Sequence, residues 1–294
     1  MILVVGATGM VGGEICRLLA IDGQPVHALV RKSSDAHKVQ HLHDIGIPTV
    51  EGDVREKSSL AQAMEYVTEV IATVSAMPFS YIAGENDIDA VDCHGMINLI
   101  DAAKEAHARK FIYTSFSGHL DIECPLRNAK RTVEKYLQES GLHYTILRPS
   151  CFMEVWLSPA VGFDTEHGQA QIYGSGENPI SYISYKDVAR FAVESLHNPA
   201  ATDKILELGG PQALSQLEAV KIFESALGRK MKITHVTKQT LEHQRDEASD
   251  PMQESFSSLM LCVANGDPID MTPIRNDFPF HLTSVKEYAQ HMPH

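Results

Sequence analysis

Apolar residues in this chain fall in short dense runs, separated by stretches where they recur every three or four positions. The first run, Ile2-Leu3-Val4-Val5, meets glycines at 6, 9 and 12, and Val11, Ile15, Leu18 and Leu19 follow at helical spacing. This reads as a buried strand, a tight turn and a helix. The alternation then repeats. A strand is expected over 25–32, a helix over 36–46 carrying Val39, Leu42 and Ile45, and a short strand over 48–54 that ends in Gly52-Asp53. A helix over 58–64, a strand over 69–76 and an irregular stretch over 77–90 come next. A helix then runs from Asp89 through Val91, Met96, Leu99 and Ala103, and a strand covers 109–115. Such alternation predicts an α/β protein. Its doubly wound parallel sheet would carry helices on both faces, right-handed crossovers and a ligand crevice at the strand carboxyl ends.

A helix from Leu126 to Glu139 sets Lys130, Val133 and Leu137 on one face, Gly141 closes it, and residues 143–149 form another strand. Beyond Pro149 the periodicity loosens. Phe152, Met153, Trp156, Phe163 and Tyr173 suit the wall of a substrate pocket. A helix over 185–196 and a strand over 205–208 return to the main sheet. The remainder holds a helix over 215–227, a strand over 232–236, a polar stretch over 237–255 and a last helix over 283–291. The expected division is therefore residues 1–150 with 183–210 as the nucleotide-binding unit. Residues 151–182 and 211–294 would form a smaller α+β substrate unit.

Composition narrows the partners. The 294 residues are 44% hydrophobic and carry a formal net charge of −13, which disfavours nucleic acid and anionic membrane. A small-molecule substrate is expected instead, and the sequence leaves the oligomeric state open. Cys16, Cys93, Cys124, Cys151 and Cys262 have no regular spacing, as expected of reduced thiols in the cytoplasm. The leading apolar run is too short for a signal peptide, and nothing reaches transmembrane length. Among fifteen histidines, His37, His41 and His43 come nearest to ligand spacing, but their helix reads as solvated, so no metal is expected.

The candidate chemistry lies at the strand ends. Gly6, Thr8, Gly9, Met10, Val11 and Gly12 form a turn and helix start suited to a pyrophosphate. Glycine allows close approach, and the helix N-terminus presents free N–H groups. At the end of the second strand a carboxylate would favour NAD and an arginine NADP. Arg31 and Lys32 stand there, so NADP(H) is preferred over NAD(H), unless the pair is simply a solvated basic loop. Asp53 either accepts from the adenine amino group or serves as a turn aspartate. Val54 and Ser75, at the next strand ends, complete the expected cofactor contacts. Ser115 either orients substrate or caps its strand, and Lys130 is either a site residue or an ordinary surface lysine.

These pieces together resemble the NmrA-like, isoflavone-reductase-like group of atypical short-chain dehydrogenase/reductases. The matching blocks are Gly-Ala-Thr-Gly-Met-Val-Gly at 6–12, Val-Arg at 30–31, Gly-Asp at 52–53 and Tyr-Thr-Ser at 113–115. The set is completed by Lys130 through Arg148-Pro149 and by Ile183 through Ala189. The resemblance implies a nicotinamide-binding Rossmann domain and a smaller C-terminal substrate domain. The superfamily's usual tyrosine, four residues before the lysine, is here Leu126, which can neither donate nor accept a proton. Isoflavone-reductase-like members work with a lysine that Lys130 matches. It would hold the nicotinamide ribose and, with a lowered pKa, protonate a developing oxyanion. The expected function is NADPH-dependent reduction of a small carbonyl, enone or quinone-like substrate. The alternative is a non-catalytic NADP(H)-binding sensor acting through a protein partner.

Overall fold

In the computed structural model, which describes residues 1–78 and 80–292, seven strands form one sheet. Six of them are β1 (Ile2–Val5), β2 (Val26–Val30), β3 (Thr49–Glu51), β4 (Glu69–Ala72), β5 (Lys110–Thr114) and β6 (His143–Pro149). The seventh covers Lys204–Leu208, and the spatial order is Lys204–Leu208, β6, β5, β4, β1, β2, β3. β1 is paired in parallel on both sides, Val5 lying against Leu29 of β2 and Ala72 of β4. All four of its residues are buried, which is why the run shows no alternation. The chain winds from β1 outward to β3, then crosses back to β4. The switch of direction between β1 and β4 opens the crevice in which open α/β sheets bind ligands.

The helices that place site residues are α1 (Met10–Ile21), α2 (Ala36–Asp44), α3 (Lys57–Ala63), α4 (Met96–Glu105) and α5 (Pro125–Gln138). α1 buries Val11, Ile15, Cys16 and Leu19, the stripe expected from sequence. Pro125 opens α5, where its missing N–H costs nothing. Ahead of α4 the chain forms a π-helix over Ile88–Gly95, where the hydropathy pattern predicts only a continuous helix. Its buried face carries Ile88, Val91, Asp92 and Gly95, spaced by three and four, so an acid takes a place on an otherwise small or apolar stripe.

Two compact units emerge. The first comprises Met1–Ser115, Pro125–Leu147 and Val188–Leu206; the second comprises Phe116–Cys124, Arg148–Asp187 and Glu207–His294. The first has its core on β1, β4 and β5, with Leu3, Val70, Phe111, Tyr113 and Val133 all sealed from solvent. The second packs Met153, Phe163, Tyr173, Phe223 and Leu261 around a three-stranded sheet of Phe163–Asp164, Gln169–Tyr173 and Lys232–Val236.

The polar stretch over 237–255 holds one helix, Lys238–Asp246, and the start of a second, Pro251–Asn265. Thr237 caps the first by accepting from the Thr240 N–H, and Asp250 caps the second by accepting from those of Met252 and Gln253. The first helix buries only Leu241, so its hydropathy pattern carries almost no period. No described helix is long and apolar enough to cross a membrane.

Candidate functional site

The glycine loop lies at the switch point and is tightly built. Gly6 takes φ +90°, a left-handed conformation in which a side chain is strained, and its carbonyl accepts from the Gly9 N–H at 2.9 Å. A Cβ on Gly12 would lie 2.2 Å from the Gly6 oxygen, and one on Gly6 would lie 2.7 Å from Thr73 Oγ1 at the end of β4. The first turn of α1 therefore rests directly on the loop. Gly9 occupies the N-cap without a side-chain cap, so the first N–H groups of α1, around Met10 and Val11, have no partner from a capping residue. They and the helix dipole form a cradle for an anion. Thr8 belongs to the same turn.

Arg31 immediately follows β2. Its Nη1 donates to Asn86 Oδ1 at 2.6 Å, and its N–H donates to Ser34 Oγ at 2.9 Å. Asn86 is buried and anchored in turn to Ser80, donating to its carbonyl at 2.5 Å. Part of the 77–90 loop thus fixes the guanidinium, a role the sequence did not suggest for Asn86. Phe79 of that loop lies outside the described residues. Lys32 is exposed.

Asp53 is engaged by Arg55, whose Nη2 donates to Oδ2 at 2.6 Å and whose Nε donates to Oδ1 at 3.0 Å. Burial pulls the Asp53 carboxyl upward, but these bonds outweigh it and hold the group below its ordinary value. Val54 is buried against Gly95, on which a Cβ would lie 2.7 Å from Val54 Cγ2. Ser75 Oγ accepts from the Met77 N–H at 3.2 Å.

Lys130 is not a surface lysine. It is 5% exposed, and its Nζ lies 2.9 Å from Oδ1 of Asp92, a carboxylate with no exposure whose Oδ2 accepts from the Ala76 N–H. The ammonium also stands 5.4 Å from the Tyr113 ring centroid. Burial alone would lower the Lys130 pKa. Tyr113 and Asp92 more than offset this and raise it, so the expected lowered pKa is corrected. Lys130 is held as a cation. Asp92 went unnoticed in the sequence, although an acid between Val91 and the helix that follows is a visible irregularity. Ser115 is buried, its N–H donating to the Leu147 carbonyl at 2.8 Å and its Oγ lying 3.5 Å from Arg131 Nη1. Leu126 is buried on α5.

The expected substrate wall is corrected in part. Met153, Phe163 and Tyr173 are core residues of the second unit. The cavity beside them, lined by Trp156, Phe163, Tyr173 and Tyr182, measures about 10 Å³, the space of one water and far too little for a planar ligand. Phe152 and Trp156 stay half-buried. Elsewhere, Asp89, Cys93 and His94 bring potential metal ligands within 4.8 Å of one another. The carboxylate and imidazole of this exposed pair already lie 3.3 Å apart.

The model of the NmrA-like family matches residues 1–289. The NAD(P)H azoreductase of Xenophilus azovorans is 33% identical over 239 residues, which cover 81% of this chain and 77% of that protein. The photosystem II assembly factor Ycf39 of Synechocystis is 29% identical over 98% of this chain and 89% of its own. Among solved structures, the Escherichia coli NADPH-dependent quinone oxidoreductase QOR2 in complex with NADPH superposes with a TM-score of 0.78. It is 21% identical and covers 99% of both chains, a likeness of fold.

Proposed function

The chain belongs to the NmrA-like family, and on that premise we propose that it is an NADPH-dependent reductase of a small carbonyl, enone or quinone-like substrate. The observation that carries the reading is the uncapped start of α1 resting on the left-handed Gly6, so closely that a Cβ on Gly12 would strike the Gly6 carbonyl. Its exposed donors and small residues fit a pyrophosphate. When bound, the nicotinamide cofactor supplies the hydride.

This chain's own residues do the rest. The turn at Gly6, Thr8, Gly9, Met10, Val11 and Gly12 donates backbone N–H groups. Arg31, prepositioned by Asn86, binds the 2′-phosphate with Lys32 as a second cation, and no acid ends β2 to favour NAD. Asp53, Val54 and Ser75 line the remaining strand ends. Lys130, held cationic by Asp92, donates to ribose hydroxyls and stabilises negative charge that develops during reduction. Ser115 orients the substrate. Relatives named for azo and quinone reduction support an unsaturated acceptor.

The test follows NADPH absorbance against a panel of quinones, enones and aldehydes, with Lys130→Ala alongside and NADPH binding titrated separately. Turnover in the wild type and a loss of at least ~100-fold in the variant is the expected result. Binding of NADPH without oxidation by any acceptor would replace this reading with a non-catalytic nucleotide sensor that works through a protein partner.

A further inference from the structure

The π-helix Ile88–Gly95 has two working faces. Its buried face brings Asp92 to Lys130, and its solvent face gathers three side chains with metal-binding atoms, Asp89, Cys93 and His94. We propose that these three residues hold a divalent cation of the zinc type, which fastens the first turn of the π-helix to its last. All of them lie in the first unit, and the inference is independent of the reductase reading.

The winding of the helix brings the three together. A π-helix closes its hydrogen-bonded turn on the fifth residue, so positions i+4 and i+5 lie on either side of i. Asp89, Cys93 and His94 are i, i+4 and i+5. On an α-helix of 3.6 residues per turn, i+5 would stand about 140° away from i and could not share an ion with it. Here His94 Nδ1 lies 3.3 Å from Asp89 Oδ1 and 3.3 Å from the Asp89 carbonyl oxygen. Two ligands on a tetrahedral zinc, at bond lengths of about 2.0–2.2 Å, stand roughly 3.4 Å apart, so this pair already has the required span. The Cys93 thiol is within 4.8 Å of the other two ligand atoms. A zinc-bound thiolate stands about 3.5 Å from its neighbours, which leaves an approach of at most ~1.3 Å.

The donor set selects the ion. One thiolate and one imidazole suit zinc, whereas magnesium and calcium take oxygen ligands throughout. The thiolate and the carboxylate together offset the charge of a divalent cation. On binding, a sulfur–metal bond forms, and the thiol proton leaves to water. The Asp89 and His94 side chains are 78% and 67% exposed, so the ion enters from solvent and keeps water in its remaining position. A search of sequence spacing overlooks this set because its i, i+4, i+5 pattern converges only on a π-helix.

The ion would act on the fold at one remove from the ligands. Asp89 belongs to the first turn of the π-helix and His94 to its last, so a shared cation holds both ends of the winding. The same winding carries Asp92, whose Oδ1 lies 2.9 Å from Lys130 Nζ.

Titration of the reduced, chelator-treated protein with zinc chloride tests the site. Calorimetry should show saturation at one equivalent with micromolar or tighter affinity, and magnesium chloride should give no binding in that range. Cys93→Ser and His94→Gln should each weaken zinc by about 10-fold or more, since loss of a ligand costs at least as much as loss of an outer-shell partner. Both positions face solvent at least in part, so the variants should fold. Cobalt(II) should give a thiolate-to-metal charge-transfer band in the near ultraviolet that disappears in Cys93→Ser. Zinc at 100 times its Kd should raise the wild-type Tm by about 5 °C. Zinc affinity unchanged in both variants would assign the ion to other histidines and overturn the site. Cobalt binding without the charge-transfer band would remove Cys93 from it. Binding with no rise in Tm would refute the fastening of the folded π-helix.

Discussion

Replacing Asp92 by Asn tests whether the Lys130 ion pair is the electrostatic pivot of the first unit. The side chain has nearly the same volume, and its amide oxygen can still accept from the Ala76 N–H, so neither a cavity nor a lost backbone partner confuses the result. What the substitution removes is the charge 2.9 Å from a lysine that is 5% exposed. Removing one partner of a buried pair costs roughly 3–5 kcal/mol, because the other charge remains desolvated and uncompensated. At about 2 °C per kcal/mol, a value extrapolated to a chain of this length, Tm should fall by roughly 6–10 °C. Lys130→Met should cost a similar amount by stranding Asp92. The double variant removes both charges and should recover about 3 kcal/mol relative to the sum of the two single losses. Urea unfolding followed by circular dichroism supplies the three free energies. Single losses that add to within about 0.5 kcal/mol in the double variant would refute the coupling.

Other consequences follow from the same geometry. Gly12→Ala should destabilise the chain by roughly 3 kcal/mol and abolish nucleotide binding, since its Cβ would lie 2.2 Å from the Gly6 backbone oxygen. Wild-type nucleotide affinity in this variant, measured by fluorescence titration, would exclude the loop as the pyrophosphate site. Arg31→Ala should reduce the preference for NADPH over NADH by about tenfold or more, while NADH affinity changes little. Equal losses for both nucleotides would place Arg31 away from the 2′-phosphate.

Alkaline pH should weaken the first unit. Burial pushes Tyr113 up to about 12 from an ordinary value of 10.0, and Lys130 is raised above 10.5. Both groups therefore keep protons in the folded state that the unfolded chain gives up. Their stabilisation is complete below about pH 10 and declines as pH rises toward 12, by at most about 1.4 kcal/mol per pH unit for each group. Urea midpoints measured between pH 8 and 11 should show this slope, and Tyr113→Phe should flatten it. An unchanged slope in that variant would contradict the assignment to Tyr113.

The elements of the first unit were legible because each is dictated locally. Ile2 to Val5 is apolar throughout because both neighbours in the sheet bury it, and the glycine spacing that follows is set by the contact of Gly12 with Gly6. Arg31 could be placed at a strand end by counting from Val26. The second unit was harder to read. Helix Lys238–Asp246 buries one leucine and is held by a capping threonine rather than by a stripe. Met153, Phe163 and Tyr173 looked like a pocket wall because composition does not distinguish a core from a cavity lining.

Sequence by itself determined the parallel α/β framework, the position of the glycine turn and the absence of a tyrosine before Lys130, since all three depend on period, spacing and residue identity along the chain. Tertiary structure decided the charge states and the partners. Asp92 reaches Lys130 across 38 positions of sequence because the helix that carries it packs against α5, and Asp267 reaches Ser117 and His119 across about 150. Desolvation and hydrogen bonding act over a few ångströms of space, and no linear pattern records which distant residues the folded chain brings within that range.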